Sequence, residues 1–99
     1  MGTRLLQISK KLAPIFRQYG VTRADVFGSR ARGKSGINSD IDLAVTLKKP
    51  LGLFKFYEMN DKLESRLRLK VDLLTHQSIN RHLKPYIVKD MIRLYEEKQ

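Results

Sequence analysis

The sequence predicts an α+β fold, in which a small mixed β-sheet carries helices packed on one face. Residues 40–46 alternate between apolar and polar side chains, as a half-buried strand does. Residues 4–19 and 53–69 instead repeat apolar side chains at the helical spacing. Because the chain has only 99 residues, we expect one domain over residues 1–99, built around a single core.

The first predicted helix covers residues 4–19, and its apolar side carries Leu5, Ile8, Leu12, Ile15, Phe16 and Tyr19. Gly20 ends it. Pro14 lies inside this pattern and removes the hydrogen bond to the Lys10 carbonyl. The sequence leaves open whether the helix is kinked at Pro14 or built as two pieces.

Two strands and a long loop follow the first helix. Residues 22–28 alternate weakly and predict a strand, and residues 29–39 form a loop rich in glycine, serine and basic side chains. Residues 40–46 are the clearest strand, which Lys48-Lys49-Pro50 ends. Alternation places the apolar side chains of this strand on one face and those of Asp40 and Asp42 on the other.

The second half of the chain repeats the helix and strand patterns. Residues 53–69 predict a helix, and residues 70–75 predict a third strand with Asp72 on the face opposite Val71. A C-terminal helix follows Ser78, with Pro85 near its start. Residues 92–95 fit either the last turn of this helix or a short closing strand.

Composition excludes several classes of protein. The absence of cysteine excludes a disulfide scaffold, a thiolate zinc site and a cysteine nucleophile. No apolar stretch approaches the roughly 18 residues of a membrane span, so we expect no membrane association and a cytoplasmic location. The net charge of +10 attracts phosphates, nucleic acid or an acidic partner, but no base-reading motif accompanies it. We expect His76 and His82 to be structural or surface residues.

Aromatic side chains mostly follow the apolar stripes of the predicted helices. Core packing is therefore the first interpretation for Phe54 and Tyr57 in the second helix and for Tyr86 in the last. An exposed dimer or partner surface is the alternative for Phe54 and Tyr57.

Three carboxylates point to a metal site. Asp40 and Asp42 are two residues apart on a predicted strand, so their side chains leave the same face roughly 6.5 to 7 Å apart. Asp72 on a neighbouring strand would complete an oxygen-rich site for two magnesium or manganese ions. Magnesium in turn makes phosphate chemistry the leading candidate.

The residues just upstream suit a phosphate group. Gly28 and Ser29 close the first strand, where backbone N–H groups and the Ser29 hydroxyl would face an incoming phosphate. Arg30 and Arg32 add positive charge that could clamp or attract a triphosphate, and Lys34 is a weaker candidate.

Together, Gly28-Ser29-Arg30-Ala31-Arg32-Gly33, Ser39-Asp40-Ile41-Asp42-Leu43 and Val71-Asp72-Leu73 resemble the minimal nucleotidyltransferases of the DNA polymerase beta superfamily. The resemblance implies that superfamily's fold and the magnesium-dependent transfer of a nucleoside monophosphate, with ATP as the expected substrate. It also implies roles by position. Gly28 and Ser29 would hold the phosphates, Asp40 and Asp42 would bind two magnesium ions, and Asp72 would ligate metal and help to deprotonate the acceptor hydroxyl.

The same resemblance implies a protein partner. Family members of this size are similar to antitoxins that are encoded beside a toxin of the HEPN class (higher eukaryotes and prokaryotes nucleotide-binding). The toxin is usually a ribonuclease. Such antitoxins can adenylylate the toxin, commonly on a tyrosine. Two alternatives stay open: a non-catalytic module that binds a toxin or nucleic acid and has a vestigial metal site, and a transferase acting on a small hydroxylated compound. The sequence also leaves open a homodimer or a hetero-oligomer with the toxin.

Overall fold

A computed structural model describes residues 3–28 and 40–98 of the chain. Its elements in chain order are α1 (Thr3–Gln18), β1 (Val21–Phe27), β2 (Ile41–Leu47), α2 (Leu53–Leu67), β3 (Val71–Thr75), a 3₁₀ turn (His76–Ser78), α3 (Lys84–Lys89) and β4 (Ile92–Glu96). None of the helices in these two ranges has the length and apolar character that a bilayer span requires.

The four strands form one mixed sheet in the order β3-β2-β1-β4. β1 pairs antiparallel with both β2 and β4, whereas β2 and β3 run parallel. A parallel pair needs a crossover connection, and α2 lies in the segment between these two strands. The predicted small mixed sheet is therefore confirmed.

The core lies between one face of this sheet and the helices α1 and α2. Leu12 and Phe16 of α1 and Met59 and Leu63 of α2 are completely buried there. The sheet contributes the side chains that alternation predicts for the apolar face, among them Ile41, Leu43, Val45 and Val71. Burial of each large apolar side chain contributes roughly 1.5 to 3 kcal/mol, so this interface is the main source of stability.

Helix α1 passes through Pro14 as one continuous element, which resolves the alternative of two pieces. Pro14 is on the exposed side of the helix, away from the buried Leu12 and Phe16. The helix ends two residues before Gly20, whose positive φ of 75° turns the chain into β1.

The structure settles one boundary that the sequence left open and corrects another. Residues 92–95 belong to a strand, β4, because this segment pairs with β1 from Arg23↔Glu96 to Val26↔Ile92. Strand β2 begins at Ile41, whose N–H donates to the Lys70 carbonyl at 3.0 Å. The predicted strand began one residue earlier, so Asp40 precedes β2 instead of lying within it.

We call the sheet face away from α1 and α2 the outer face. Alternation places Asp25 of β1, Asp42 of β2 and Asp72 of β3 on it. One end of this face is covered: Ala44 is completely buried, and Ile79, which follows the 3₁₀ turn, is 8% exposed. The other end carries Asp72, whose side chain is exposed.

Candidate active site

Asp42 and Asp72 form what we call the carboxylate pair, and they lie side by side on the outer face. They are direct register partners in the parallel ladder of β2 and β3. Neighbouring strands are about 4.8 Å apart, so the two side chains leave the sheet in the same direction from adjacent positions. Asp42 is half-buried and Asp72 is exposed. The sheet therefore brings together two carboxylates that are 30 positions apart in the sequence.

Asp40 lies at the same end of the sheet, immediately before the first residue of β2, and is exposed. Within the described ranges, however, no group of three or more histidine, cysteine, aspartate or glutamate side chains is arranged to hold a metal ion. Among the described residues, the structure thus places Asp42 and Asp72 side by side but does not bring a third potential ligand close enough to form a complete metal site.

Gly28 makes a close contact with the carboxylate pair. It has a positive φ of 74°, and a Cβ built on it would overlap the Oδ2 atom of Asp42. Both the backbone conformation and the lack of space therefore require glycine at this position. The turn that ends β1 is held directly against the Asp42 carboxylate.

Four predicted phosphate-binding residues lie outside the described residues: Ser29, Arg30, Arg32 and Lys34. Of the predicted nucleotide-binding set, the structure places Gly28 alone, and it places Gly28 beside Asp42.

The donor set suits a hard divalent cation. Asp40, Asp42 and Asp72 offer carboxylate oxygens, which magnesium prefers. Magnesium is commonly bound by one or two carboxylates together with substrate phosphates, instead of by an all-protein cage. A carboxylate pair with one exposed member, Asp72, beside a glycine turn fits that mode of binding.

A second acidic group on the outer face is buried and paired. We call it the Asp25 network: Asp25 Oδ2 lies 2.6 Å from His76 Nε2, and Asp25 Oδ1 accepts a hydrogen bond of 2.7 Å from Arg93 Nε. His76 Nδ1 lies 2.8 Å from the Thr46 hydroxyl. Because an ionised carboxylate only accepts, Nε2 of His76 donates to Asp25. The network ties β1 to β4 and to the 3₁₀ turn after β3.

The Asp25 network combines two largely buried side chains with a cation. The side chain of Asp25 is 7% exposed and that of His76 is 14% exposed. The hydrogen bond from Arg93 to Asp25 raises the pKa of the Arg93 guanidinium, and burial opposes this rise. The expected structural role of His76 agrees with its place here. Sequence reasoning assigned no role to Asp25, although a lone acid between the apolar Ala24 and Val26 indicates a buried charge that needs a partner.

The aromatic side chains divide between the core and the surface. Phe16 and Tyr19 are buried as predicted, but Phe54 is 92% exposed and Tyr57 is 59% exposed. Core packing is wrong for Phe54 and Tyr57, because in α2 the stripe that faces the core runs through Met59 and Leu63. It is also wrong for Tyr86 of α3, which is exposed. Phe54 and Tyr57 line a surface groove of about 920 Å³ between α1 and α2.

Comparison with known proteins gives the family. The family model for the polymerase beta nucleotidyltransferase domain matches residues 10–99 of the sequence. The chain belongs to this family. As a nucleotidyltransferase it has relatives that cover most of its length. A Methanocaldococcus jannaschii protein, provisionally named a protein adenylyltransferase, is 36% identical over 87% of this chain and 92% of its own length. The protein adenylyltransferase MntA of Thermococcus cleftensis is 32% identical over 76% of each chain.

Solved structures agree with the fold of this nucleotidyltransferase. A toxin–antitoxin structure with AMP-PNP has a TM-score of 0.76 at 29% identity, covering 92% of this chain and 75% of the other. A structure of the MntA-HepT toxin–antitoxin has a TM-score of 0.69 at 26% identity, covering 92% and 72%. A structure provisionally described as a minimal nucleotidyltransferase has a TM-score of 0.76 at 26% identity, covering 90% of this chain and 91% of the other. The resemblance seen in the sequence is therefore confirmed.

Proposed function

We propose that this nucleotidyltransferase uses magnesium and ATP to transfer AMP to a hydroxyl group of a partner protein. The proposed partner is a HEPN-family toxin encoded nearby, which the modification neutralises. Support comes from relatives named as protein adenylyltransferases and from similarity to toxin–antitoxin structures, one of which contains AMP-PNP. A cysteine-free chain that consumes ATP also fits a cytoplasmic setting.

The observation that carries this proposal is the carboxylate pair with Gly28 against it. Asp42 and Asp72 are register partners on the outer face. Gly28 brings a backbone turn against Asp42, and a glycine turn of this kind permits close approach of a phosphate. Carboxylates and a phosphate would repel each other without cations between them, so the arrangement favours a metal–nucleotide complex as the ligand.

In the proposed mechanism Asp40, Asp42 and Asp72 would hold the magnesium ions, which would supply positive charge to neutralise the triphosphate and the departing pyrophosphate. Gly28 and Ser29 hold the nucleotide phosphates, and Arg30 and Arg32 add positive charge beside them.

Asp72 has a second role in this mechanism. Its exposed carboxylate accepts the proton of the acceptor hydroxyl as that oxygen bonds to the α-phosphorus of ATP. The bond from the α-phosphorus to the bridging oxygen breaks, and pyrophosphate leaves with that electron pair. No residue of this chain becomes covalently attached to the nucleotide.

Calorimetry tests the site. Titration of ATP into the parent chain is compared with and without magnesium, and then with the double variant Asp40→Asn and Asp42→Asn. We expect binding that requires magnesium and disappears in the double variant. Asp61→Asn is the control, since Asp61 is an exposed acid on α2, away from the pair. Binding that persists without magnesium or in the double variant would refute this site.

Mass spectrometry tests the reaction. The purified HEPN-family protein encoded beside the gene is incubated with the parent chain, ATP and magnesium, and we expect it to gain the mass of AMP. If ATP binds but the HEPN protein stays unmodified, the proposed acceptor is wrong. If a folded parent chain binds no ATP in the presence of the HEPN protein, the non-catalytic binding module replaces the enzyme as the best hypothesis.

A further inference from the structure

Strand β3 leaves one side of its backbone open next to the carboxylate pair. It is an edge strand, because the sheet order is β3-β2-β1-β4. In its parallel ladder with β2, the N–H and C=O groups of Val71 and Leu73 point away from the sheet. The Val71 N–H donates to Glu64 Oε2 at 2.8 Å, whereas the structure records no partner for the outward groups of Leu73 within the described residues.

A groove runs beside this edge and reaches Asp72. Its volume is about 390 Å³, and it is lined by Phe56, Tyr57 and Asn60 of α2 and by residues 71–74 of β3. The Oδ1 atom of Asn60 is buried and has no hydrogen-bond partner among the described residues. A buried acceptor without a donor costs free energy, so the Asn60 side chain would gain a hydrogen bond by turning toward a polar chain in the groove.

The geometry of a sheet fixes what an added strand would present. A strand that pairs with β3 continues the sheet at the usual spacing of about 4.8 Å. Its side chain opposite Asp72 then leaves on the outer face, next in the row that contains Asp42 and Asp72. A hydroxyl at that position would stand beside the Asp72 carboxylate, at the place where an acceptor is needed.

We propose that the acceptor protein is bound as an extended segment that adds to the free edge of β3, with its hydroxyl-bearing side chain opposite Asp72. Leu73 pairs with its backbone, Asn60 Oδ1 accepts a hydrogen bond from it, and Tyr57 contacts its apolar side chains. This inference rests on the proposed function, since it specifies how the acceptor reaches the same site. Its occupant is the HEPN-family partner, because the groove is continuous with the carboxylate that the transfer uses.

Substitution of Leu73 tests the edge directly. Leu73→Pro removes the outward N–H without removing a bond of the sheet, and proline is tolerated at such edge positions. Leu73→Ala is the matched control, because it removes the same side chain and keeps the N–H. With the HEPN protein encoded beside the gene as acceptor, we expect Leu73→Pro to raise KM for that protein about tenfold above Leu73→Ala. The Kd for ATP with magnesium should be equal in the two variants.

Two further measurements keep the test independent of how well the proline variant folds. Asn60→Leu removes the unpaired oxygen and should raise KM for the acceptor severalfold, with kcat and ATP binding unchanged. In the parent chain, binding of the HEPN protein in the presence of AMP-PNP should slow hydrogen exchange at the Leu73 amide by about tenfold or more. The exposed Lys49 amide should keep its exchange rate.

The outcomes separate this inference from the proposed function. Equal KM values for Leu73→Pro and Leu73→Ala, or a Leu73 amide that exchanges at the same rate in the complex, would overturn edge docking while leaving AMP transfer intact. Absence of ATP binding or of transfer in the parent chain would instead overturn the proposed function, and the edge inference with it.

Discussion

The outer face of the sheet carries two acidic regions that are built in opposite ways. Asp25 is 5% exposed and contacts both His76 and Arg93, so its charge is compensated inside the protein. Asp72 is exposed, and the described residues provide it with no ion pair. The carboxylate pair and the Asp25 network are thus neighbours in the sheet with different surroundings.

This contrast separates a structural carboxylate from a chemically available one. Burial of a charge is costly, and the Asp25 network offsets that cost with hydrogen bonds to two side chains. An exposed carboxylate keeps its hydration and can exchange water for a cation or a proton. Acidic residues on one face of one sheet therefore need to be judged by their partners before a role is assigned.

The largest expected effect is a loss of AMP transfer when the carboxylate pair is changed. Asp72→Asn removes a charge and a proton acceptor, so AMP transfer should fall by about a hundredfold or more. The measurement is the rate of AMP incorporation into the HEPN protein, with Asp61→Asn as the control for a lost surface charge. A variant that transfers at the parent rate would remove Asp72 from the mechanism.

The next largest effect is on stability, and here the Asp25 network should be more sensitive to substitution than the carboxylate pair. Asp25→Asn leaves Arg93 and His76 without their charged partner, so the free energy of unfolding should fall by about 2 kcal/mol. Asp72→Asn should change it by less than about 0.5 kcal/mol, because Asp72 is exposed. Urea unfolding of both variants checks the pair of values. Equal losses in the two variants would show that the contrast between the regions is wrong.

Comparing alanine variants of two glycines tests the contact between the Gly28 turn and the carboxylate pair. Gly28 and Gly20 have nearly the same positive φ, 74° and 75°, but a Cβ on Gly20 meets no atom within 4 Å. Alanine should therefore cost about 1 kcal/mol of stability at Gly20 and more at Gly28, where it overlaps Asp42. Calorimetry should show weaker binding of magnesium–ATP in Gly28→Ala alone. Equal affinity in the two variants would separate the turn from the nucleotide site.

The smallest effect concerns an exposed carboxylate outside both regions. The Tyr19 hydroxyl donates to Glu58 at 2.5 Å and lowers the Glu58 pKa from its usual 4.5. Because the pKa of Glu58 is lower in the folded state, its ionised carboxylate stabilises the protein at pH values above the unfolded-state pKa. This contribution disappears as the pH falls through the folded-state pKa. Tyr19→Phe should thus be slightly less stable than the parent at about pH 7, and the difference should shrink at about pH 3. Urea unfolding at both pH values measures it, and a difference independent of pH would contradict the assignment.

The parts of this structure that the sequence predicted are those that depend on local periodicity. The stripe through Leu12 and Phe16 and the alternation of β2 each follow from spacing within one element, so the core and the outer position of Asp42 were predictable. Glycine chemistry likewise pointed to Gly28, although the overlap with Asp42 is visible in the structure alone.

Long-range pairing explains what the sequence did not predict. Asp25 is separated from His76 by 51 positions and from Arg93 by 68, and no local pattern links them. The register that places Asp42 opposite Asp72 depends on the crossover through α2, and the strand β4 exists because β1 supplies a partner. Phe54 and Tyr57 lie on the surface because the side of α2 that faces the core carries Met59 and Leu63 instead.

The position of β1 between β2 and β4 has a consequence for the order of folding. Residues 28–40 connect β1 to β2, which is a much shorter closure than the one that returns β4 from about 65 positions away. We expect the β1–β2 hairpin to form early and β4 to dock late, after most of the barrier has been crossed. Substitutions at Arg93 would then accelerate unfolding much more than they slow folding.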